Sequence, residues 1–371
     1  MLESLTAENE FEARELFRSQ AMNFSGMTLY YERGDSFKKL LSLQGQFYQT
    51  YLYREKGEVL AMMSICAMPR WINNKIAYAV QVSDFRIKGN RASRLAWRQL
   101  FSLSIKQFSL DFPFLKFNII YASVLATNLS AIRNFVSPKR KTEFHFSEIG
   151  QFEMINIFAR FSSHQNSEKL KVRFANSDDQ QPLLQFLKRQ ETQKELGFVF
   201  DHSDFCEWRF RENNWPGFLL EKFIVVADDS GIVACTLPWS PPKSIKTMVA
   251  AKVPYWLLQC LSILTVLGIN VPKLNESINT LYLSHLNISK FKDTDAVLNI
   301  VLNFIYSKKI MKGYHILAFS NWWKTREKLK CLRYSFIQRV PISLQQVITN
   351  GVDTSKIQST LNDVGFEMSI I

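Results

Sequence analysis

YLYREKGEVLAMMSI (residues 51–65) and its echo FIVVADDSGIVACTL (residues 223–237) decide the fold. In each stretch two apolar runs flank a short polar turn, with Gly57 in the first turn and Gly231 in the second. Apolar runs on either side of a glycine-containing turn predict a β-hairpin. The offset between the two stretches is roughly 174 residues, so the sequence predicts two copies of one structural unit.

The sequence after each hairpin repeats a second pattern. A strand-like segment is followed by a segment with apolar residues at helical spacing and then by another strand-like segment. This order predicts a βαβ unit that contains a parallel pair of strands. The predicted strand, helix and strand are 76–85, 92–108 and 117–124 in the first half, and 280–288, 293–306 and 314–319 in the second.

The ends of the two halves set the predicted domain boundary. The stretch 162–169 (SSHQNSEK) contains no apolar residue and predicts a linker between a first domain, 1–163, and a second domain, 170–371. Each domain is expected to begin with a strand and a helix and to end in β-rich sequence, at 152–161, at 336–340 and at 366–371. The second domain also carries an insertion of about 30 residues, with an apolar helical segment at about 250–275.

Composition narrows the class of protein. The chain has 371 residues, of which 47% are hydrophobic and 21% charged, which is typical of folded domains and excludes a disordered chain. Its net charge of +13 favours anionic partners, such as polyphosphate cofactors, nucleic acid or an anionic membrane surface. The five cysteines form no CxxC pair, as in a reduced cytoplasmic protein, and no secretory signal is predicted.

The uncharged segment 253–272 is long enough for a membrane span. Polar residues dilute it, Gly268 interrupts it, and Pro254 and Pro272 bracket it. It therefore predicts a buried or interface-packing helix, with peripheral membrane contact as the alternative.

The loop RIKGNRASRLAWR (86–98) is strongly basic. Six basic residues and no acidic one lie between Phe85 and Leu110. The loop joins the end of a predicted strand to the start of a helix, where unpaired backbone N–H groups and the helix dipole favour a phosphate. Gly89 would let the backbone approach the anion closely. A solvated basic helix face is the alternative interpretation.

A second local signal follows the next predicted strand. Asn128 lies shortly after the strand and is followed by Ala131 and Ile132 at the start of a helical segment. An asparagine in this place is typical of a helix N-cap.

In this order and spacing, the features resemble the GNAT superfamily of acyl-CoA-dependent N-acyltransferases. That family has a V-shaped gap between two strands, a pyrophosphate loop of the form Q/R-x-x-G-x-G/A, and a helix that opens with an N-x-x-A-I-like turn. The resemblance covers the whole chain as two copies. It implies an α+β fold of two tandem GNAT-like domains, each a mixed twisted sheet flanked by helices.

The resemblance also implies a site for acetyl-CoA or another acyl-CoA in the first domain. Two registers of the loop stay open, Arg86-x-x-Gly89-x-Arg91 and Arg91-x-x-Arg94-x-Ala96, and each departs from the family pattern by one arginine. The residues expected to bind the cofactor lie at the gap, in the loop and at the later turn: Val82, Arg86, Lys88, Gly89, Asn90, Arg91, Ala92, Ser93, Arg94 and Asn128.

Candidate catalytic residues lie on the same strands. An amine that attacks a thioester must lose a proton, and Asp84, at the end of the first βαβ strand, is the candidate general base. Ser83 is expected to orient a water or the amine. In the family a tyrosine often protonates the leaving thiolate, but Phe135 occupies that place, and Tyr121 is the candidate replacement.

The second copy departs further from the family. Its loop, 289–295, has no glycine and places two acids at the start of the helix, and those acids would repel pyrophosphate. The second domain is therefore expected to have lost CoA binding, and His285 in its strand is expected to be packed. The five histidines form no HxxH or HxH pair, so no metal site is predicted.

These observations lead to one leading function and two alternatives. The leading function is transfer of an acetyl or similar acyl group from CoA to the amine of a small molecule or peptide. One alternative is a Fem-like transferase that uses aminoacyl-tRNA, which the basic charge would suit. The other is a non-catalytic acyl-CoA-binding protein, which the loop irregularities and Phe135 favour. A monomer or a homodimer is expected.

Overall fold

The computed structural model describes residues 1–24, 27–89, 91–128, 131–132, 143–161, 169–322, 329–349 and Val364. The first half of the chain contributes these elements: β1 (Leu2–Ser4), α1 (Glu10–Ser19), β2 (Met22–Phe24), β3 (Met27–Arg33), α2 (Phe37–Gln44), β4 (Phe47–Glu55), β5 (Glu58–Ile72), β6 (Lys75–Ile87), α3 (Arg91–Asp111), β7 (Phe117–Leu125) and β8 (Phe144–Arg160).

The second half contributes a comparable series, with one addition. Its elements are β9 (Lys171–Phe174), α4 (Gln180–Glu191), β10 (Gly197–Phe198), α5 (Glu207–Asn214), β11 (Ile224–Asp228), β12 (Gly231–Trp239), β13 (Lys246–Lys252), α6 (Tyr255–Val266), β14 (Thr280–Ile288), α7 (Thr294–Ser307), β15 (Ile316–Asn321) and β16 (Ser335–Thr349). The addition is β13 with α6, which lies in the predicted insertion.

Both predicted hairpins and both predicted parallel pairs form. Strands β4 and β5 pair antiparallel around the turn at Gly57, and β11 and β12 pair antiparallel around the turn that ends at Gly231. Strand β6 runs parallel to β7, with α3 as the crossover, and β14 runs parallel to β15, with α7 as the crossover. The α+β class and the internal repeat are therefore confirmed.

The two halves share one large mixed sheet. The strand order is β1-β4-β5-β6-β7-β16-β8-β15-β14-β12-β11-β9, with β10 beside β5. Strand β16, from the end of the chain, lies between β7 and β8, while β8 pairs with β15 of the second half. Each half thus completes its sheet with a strand from the other. The division at 163 and 170 remains a prediction, because 162–168 and 365–371 lie outside the described residues.

A second, three-stranded sheet joins the halves on one side of the large sheet. Its order is β13-β3-β2, and Arg33 on β3 lies directly opposite Lys246 on β13. The chain leaves β3 at Gly34, whose N–H donates to the carbonyl of Ile245 at 3.1 Å. A methyl group on Gly34 would lie 1.8 Å from the carbonyl oxygen of Ser244, so only glycine permits this close approach.

Replacing Gly34 with alanine is expected to lower the free energy of unfolding by about 1–3 kcal/mol, because the backbone must move to admit the methyl group. Gly89→Ala is the matched control. A methyl group at Gly89 meets nothing within 4 Å, so this change is expected to stay within about 0.5 kcal/mol. Urea unfolding of both variants measures the difference. Equal stability of the two would contradict the close packing at Gly34.

The apolar segment 253–272 forms a packed helix, as predicted. Leu257, Leu261 and Leu264 of α6 are buried against the core, while Trp256 and Val266 on its outer side are exposed. None of the helices in the described part of the chain is long and apolar enough to cross a membrane.

Candidate active site

A V-shaped gap opens between β6 and β7. The two strands pair from Tyr78 opposite Phe117 to Val82 opposite Ala122, and the pairing stops there although both strands continue. The cause lies at Asp84, which has a φ of +50° and sits in a register shift between β5 and β6. A left-handed residue in a strand produces a bulge and turns the strand away from its neighbour. The backbone of β6 beyond Val82 therefore faces the gap rather than β7.

A bulge of the same kind occurs in the second half. His285 on β14 has a φ of +51° and lies at a register shift between β12 and β14, beyond Tyr282, the last residue of β14 that pairs with β15. Asp84 and His285 are 201 positions apart, compared with 174 for the hairpin glycines. The difference is taken up by the insertion that contains β13 and α6.

A cavity of about 330 Å³ lies at the gap of the first half. Both strands of the gap line it, together with the small sheet, α6 and the central strands β8 and β16. Most of its wall is apolar, with side chains that include Met27, Leu29, Phe158, Met248, Ala250, Leu257, Leu261, Ile316, Val340 and Ile342. A cavity of this size and lining suits a ligand with a substantial apolar part.

Four charged side chains interrupt the apolar wall. They are Arg33 on β3, Asp84 and Arg86 on β6, and Lys246 on β13. Arg33 Nη2 donates to Asp84 Oδ1, and both side chains are about 95% buried. Ser64 Oγ donates to Asp84 Oδ2 at 3.2 Å. Both carboxylate oxygens of Asp84 therefore already accept hydrogen bonds.

The charges in this cluster do not balance. Among the described residues, Asp84 is the only acidic side chain in the cavity lining, against three basic ones. The guanidinium groups of Arg33 and Arg86 lie 5.0 and 4.5 Å from the centroid of the same ring, Phe17. A cation over an aromatic face gains a modest attraction, but a ring carries no charge and cannot neutralise either arginine.

Burial changes the pKa values of the basic groups. Lys246 is inside the protein, and desolvation, with Arg33 opposite it, lowers its pKa to about 7. Desolvation also lowers the pKa of Arg86 and raises that of the nearby Tyr31 hydroxyl. Lys246 can consequently exchange a proton near neutral pH, which an ordinary lysine cannot do.

The structure brings three of the predicted strand residues together and separates a fourth. Val82, Ser83 and Asp84 all line the cavity, and Ser83 Oγ is buried with no hydrogen-bond partner among the described residues. Tyr121 lies outside the cavity lining. Its hydroxyl donates to Gln81 on the neighbouring strand at 3.3 Å, and burial raises its pKa to about 12. The candidate general acid therefore does not reach the gap.

The loop residues that the structure describes do not come together. Arg86 points over Phe17 into the cavity wall, whereas Lys88 pairs with Glu58 at 2.5 Å on the surface. Gly89 is exposed with open space above it. Helix α3 begins at Arg91, as expected for a loop that leads into a helix N-terminus. Asn90 and the side chains of Arg91, Ala92, Ser93 and Arg94 lie outside the described residues.

The predicted turn after β7 has cap geometry. Asn128 Oδ1 accepts a hydrogen bond from the N–H of Ala131 at 3.0 Å, and both residues line the cavity. Phe135, which replaces the tyrosine of the family pattern, lies outside the described residues.

The equivalent gap in the second half is filled by protein. The His285 ring packs among aromatic rings that include Phe198, Trp215 and Phe218, at centroid distances of 5.2 to 6.1 Å. Burial lowers its pKa well below the usual value, so the ring is neutral. In the adjacent loop Asp293 caps α7 by accepting from the N–H groups of Asp295 and Ala296. His285 is packed, as expected.

Sequence reasoning missed Arg33 and Lys246. Each lies in a short strand whose alternate residues face the cavity: Met27, Leu29, Tyr31 and Arg33 on β3, and Lys246, Met248 and Ala250 on β13. The period of two marks a common face, but no local pattern says that the two faces meet. The described residues contain no group of three or more His, Cys, Asp or Glu side chains that could hold a metal ion.

No protein-family model matches the sequence, and no curated protein matches it significantly. Solved structures do. N-myristoyltransferase from Saccharomyces cerevisiae, with bound myristoyl-CoA, superposes over 99% of this chain and 89% of its own, with a TM-score of 0.56 and 12% identity. A GCN5-related N-acetyltransferase from Sphaerobacter thermophilus matches over 86% and 82%, with a TM-score of 0.51 and 10% identity.

A third likeness is to the glucosamine N-acetyltransferase region of a fungal multi-domain β-N-acetylglucosaminidase. It covers 94% of this chain and 38% of that protein, with a TM-score of 0.55 and 8% identity. Identities this low establish the fold alone. These structural matches agree with the splayed parallel pair, the bulge at Asp84 and the repeated topology. Together they show that the chain has the fold of the GNAT superfamily.

Proposed function

We propose that the protein is an acyl-CoA-dependent N-acyltransferase whose active site is the gap between β6 and β7. The single observation that carries the proposal is the cavity at this gap, which the bulge at Asp84 opens on the strand that leads into α3. A helix N-terminus suits the CoA phosphates. The gap exposes the backbone of β6 to a pantetheine chain, and the apolar wall beyond it accommodates an acyl group.

The reaction needs few protein groups. The acceptor amine gives a proton to a base and attacks the thioester carbonyl carbon. A C–N bond forms, the C–S bond breaks, and the CoA thiolate leaves and takes up a proton. Backbone N–H groups of β6 in the gap would stabilise the developing oxyanion. Since both oxygens of Asp84 are hydrogen-bonded, the neutral form of Lys246 is the better proton acceptor in the cavity.

The acyl group is proposed to be longer than acetyl. Cavities of about 300–1,000 Å³ hold drug-sized ligands, so 330 Å³ far exceeds the needs of an acetyl group. Burying each methylene of a longer chain would contribute about 0.8 kcal/mol. The myristoyl-CoA bound to the yeast N-myristoyltransferase supports a long chain in this fold.

Calorimetric titration with CoA, acetyl-CoA, octanoyl-CoA and myristoyl-CoA tests the proposal. Affinity should rise with chain length, and charge reversal at Arg91 and Arg94 should weaken all four ligands together. Thiol release with an amine panel then tests turnover. Binding without thiol release would favour a non-catalytic acyl-CoA-binding protein. Failure to bind any of the four, with salt-sensitive tRNA binding instead, would refute the proposal.

Replacing Ala250 with leucine is expected to shift the chain-length preference. Ala250 lies in the cavity wall on β13, and leucine adds three carbon atoms that would occupy the space of an acyl chain. Affinity for myristoyl-CoA should fall by roughly 10- to 50-fold, the equivalent of two to three buried methylenes, while affinity for acetyl-CoA should not change. Ala227→Leu, on β11 away from the cavity, is the matched control. If both ligands lost affinity equally, the acyl chain would not lie against Ala250.

A further inference from the structure

The charged cluster in the cavity is incomplete. Arg33 and Lys246 are directly opposite each other on paired strands and are 95% and 92% buried. Like charges in opposite cross-strand positions repel each other, and a buried charge is costly unless an opposite charge compensates it. With Lys246 neutral, Arg33, Arg86 and Asp84 still leave one positive charge in the described cavity wall.

The two arginines of the cluster carry unused hydrogen-bond donors. Arg33 Nε and Nη1 and Arg86 Nε are buried and have no hydrogen-bond partner among the described residues. Only Nη2 of Arg33 is used, on Asp84. Guanidinium donors of this kind bind carboxylates and phosphates through charge-assisted hydrogen bonds. An oxyanion is therefore the ligand that this part of the cavity lacks.

A smaller pocket lies next to the charged cluster. Lys246, Met248, Ile278, Thr280 and Tyr282 line both the main cavity and a smaller adjoining pocket of about 40 Å³. Exposed Lys243 lines the smaller pocket, which places that pocket at the surface.

We propose that the amine acceptor carries a carboxylate beside its amino group, as a free amino acid does, and that Arg33 and Arg86 bind this carboxylate. The proposal rests on the proposed function, since it assigns the acceptor of that reaction. One carboxylate cancels the one uncompensated charge, whereas a phosphate dianion would leave an excess negative charge. The buried hydroxyls of Ser83 and Thr280, which lack hydrogen-bond partners among the described residues, are available to the amino group.

Matched acceptors test the proposal. With octanoyl-CoA as donor, thiol release is measured with glycine, glycinamide, methylamine and O-phosphoethanolamine, and with leucine, leucinamide and isoamylamine. The amino acids should exceed their amides and simple amines by at least about 100-fold in kcat/KM, because a site built for a polar group rejects analogues that lack it. Equal rates with amines that lack the carboxylate, or a preference for O-phosphoethanolamine, would overturn the proposal.

Variants separate recognition from folding and from cofactor binding. Arg86→Met should lower kcat/KM for glycine at least 10-fold more than it lowers kcat/KM for methylamine, while octanoyl-CoA still binds. Loss of octanoyl-CoA affinity in this variant would instead assign Arg86 to the cofactor and overturn its part in the proposal. If Arg86→Met does not fold, calorimetry on the wild-type protein provides the test. N-octanoylglycine should bind at least 10-fold more tightly than N-octanoylglycinamide, and equal affinities would refute the proposal.

The two proposals fail in different ways. If no acyl-CoA binds and no amine releases thiol, the proposed function itself is wrong. If acyl-CoA binds and all amines react alike, the function stands and only the assignment of the acceptor is wrong.

Discussion

Replacing Asp84 with asparagine is expected to lower the free energy of unfolding by about 3–5 kcal/mol, the usual result of removing one partner of a buried ion pair. Asp84 is the one acid among the described residues of the cavity wall and it faces three basic side chains. Asparagine keeps the shape of the side chain and removes its charge. Arg33 would then remain buried with no acidic side chain in the described cavity wall to compensate its charge. Urea unfolding at pH 7 measures the change.

Two controls identify the cause. Asp201→Asn breaks an ion pair with Lys188 in which both side chains are more than half exposed, so it should cost less than about 1 kcal/mol. The double variant Asp84→Asn with Arg33→Met removes the stranded charge and should recover part of the lost stability. If Asp84→Asn is as mild as Asp201→Asn, the Arg33–Asp84 pair does not contribute in the way its burial indicates.

The same variant distinguishes two roles of Asp84. Its backbone has a φ of +50°, and asparagine adopts this conformation as readily as aspartate does. The bulge and the strand gap should therefore persist, and octanoyl-CoA should still bind at a temperature at which the variant is folded. A loss of turnover with retained cofactor binding would show that the charge of Asp84, rather than the bulge, serves the reaction.

The elements that the sequence predicted are those that local patterns determine. The hairpins at Gly57 and Gly231 and the two βαβ units need only turn chemistry and apolar spacing within short windows. The exchange of β8 and β16 between the halves could not be predicted, because its pairs join distant residues such as Arg160 and Ser335. Strand periodicity tells which residues share a face but leaves the pairing partner open.

The residues of the candidate site also fall into those that local patterns predicted and those that they did not. Val82, Ser83 and Asp84 were predicted because they follow one another in a recognisable strand. Lys246 and Arg33 became neighbours through a strand pairing that spans more than half the chain. Asp84, the predicted general base, is the anionic partner of a buried arginine, and this partnership is the reason why we propose Lys246 as the proton acceptor.

Replacing Lys246 with methionine is expected to change the pH dependence of stability. Burial lowers the folded-state pKa of Lys246 to about 7 from its usual value of 10.5. Between these two values the unfolded chain binds the proton and the folded protein does not, so the free energy of unfolding of the wild type rises with pH. Below pH 7 both states are protonated and the contribution is constant. At pH 7 and below, the methionine variant should be more stable by about 3–5 kcal/mol, at 1.36 kcal/mol for each pKa unit.

The difference between wild type and variant should shrink steadily from pH 7 to pH 10, as followed by urea unfolding. Arg33, Asp84, Tyr31 and Tyr282 face Lys246 from three strands and are the same in both proteins, so their titration cancels. Lys188→Met, at a half-exposed position, should show no such trend, and parallel wild-type and variant curves would mean that Lys246 keeps an ordinary pKa.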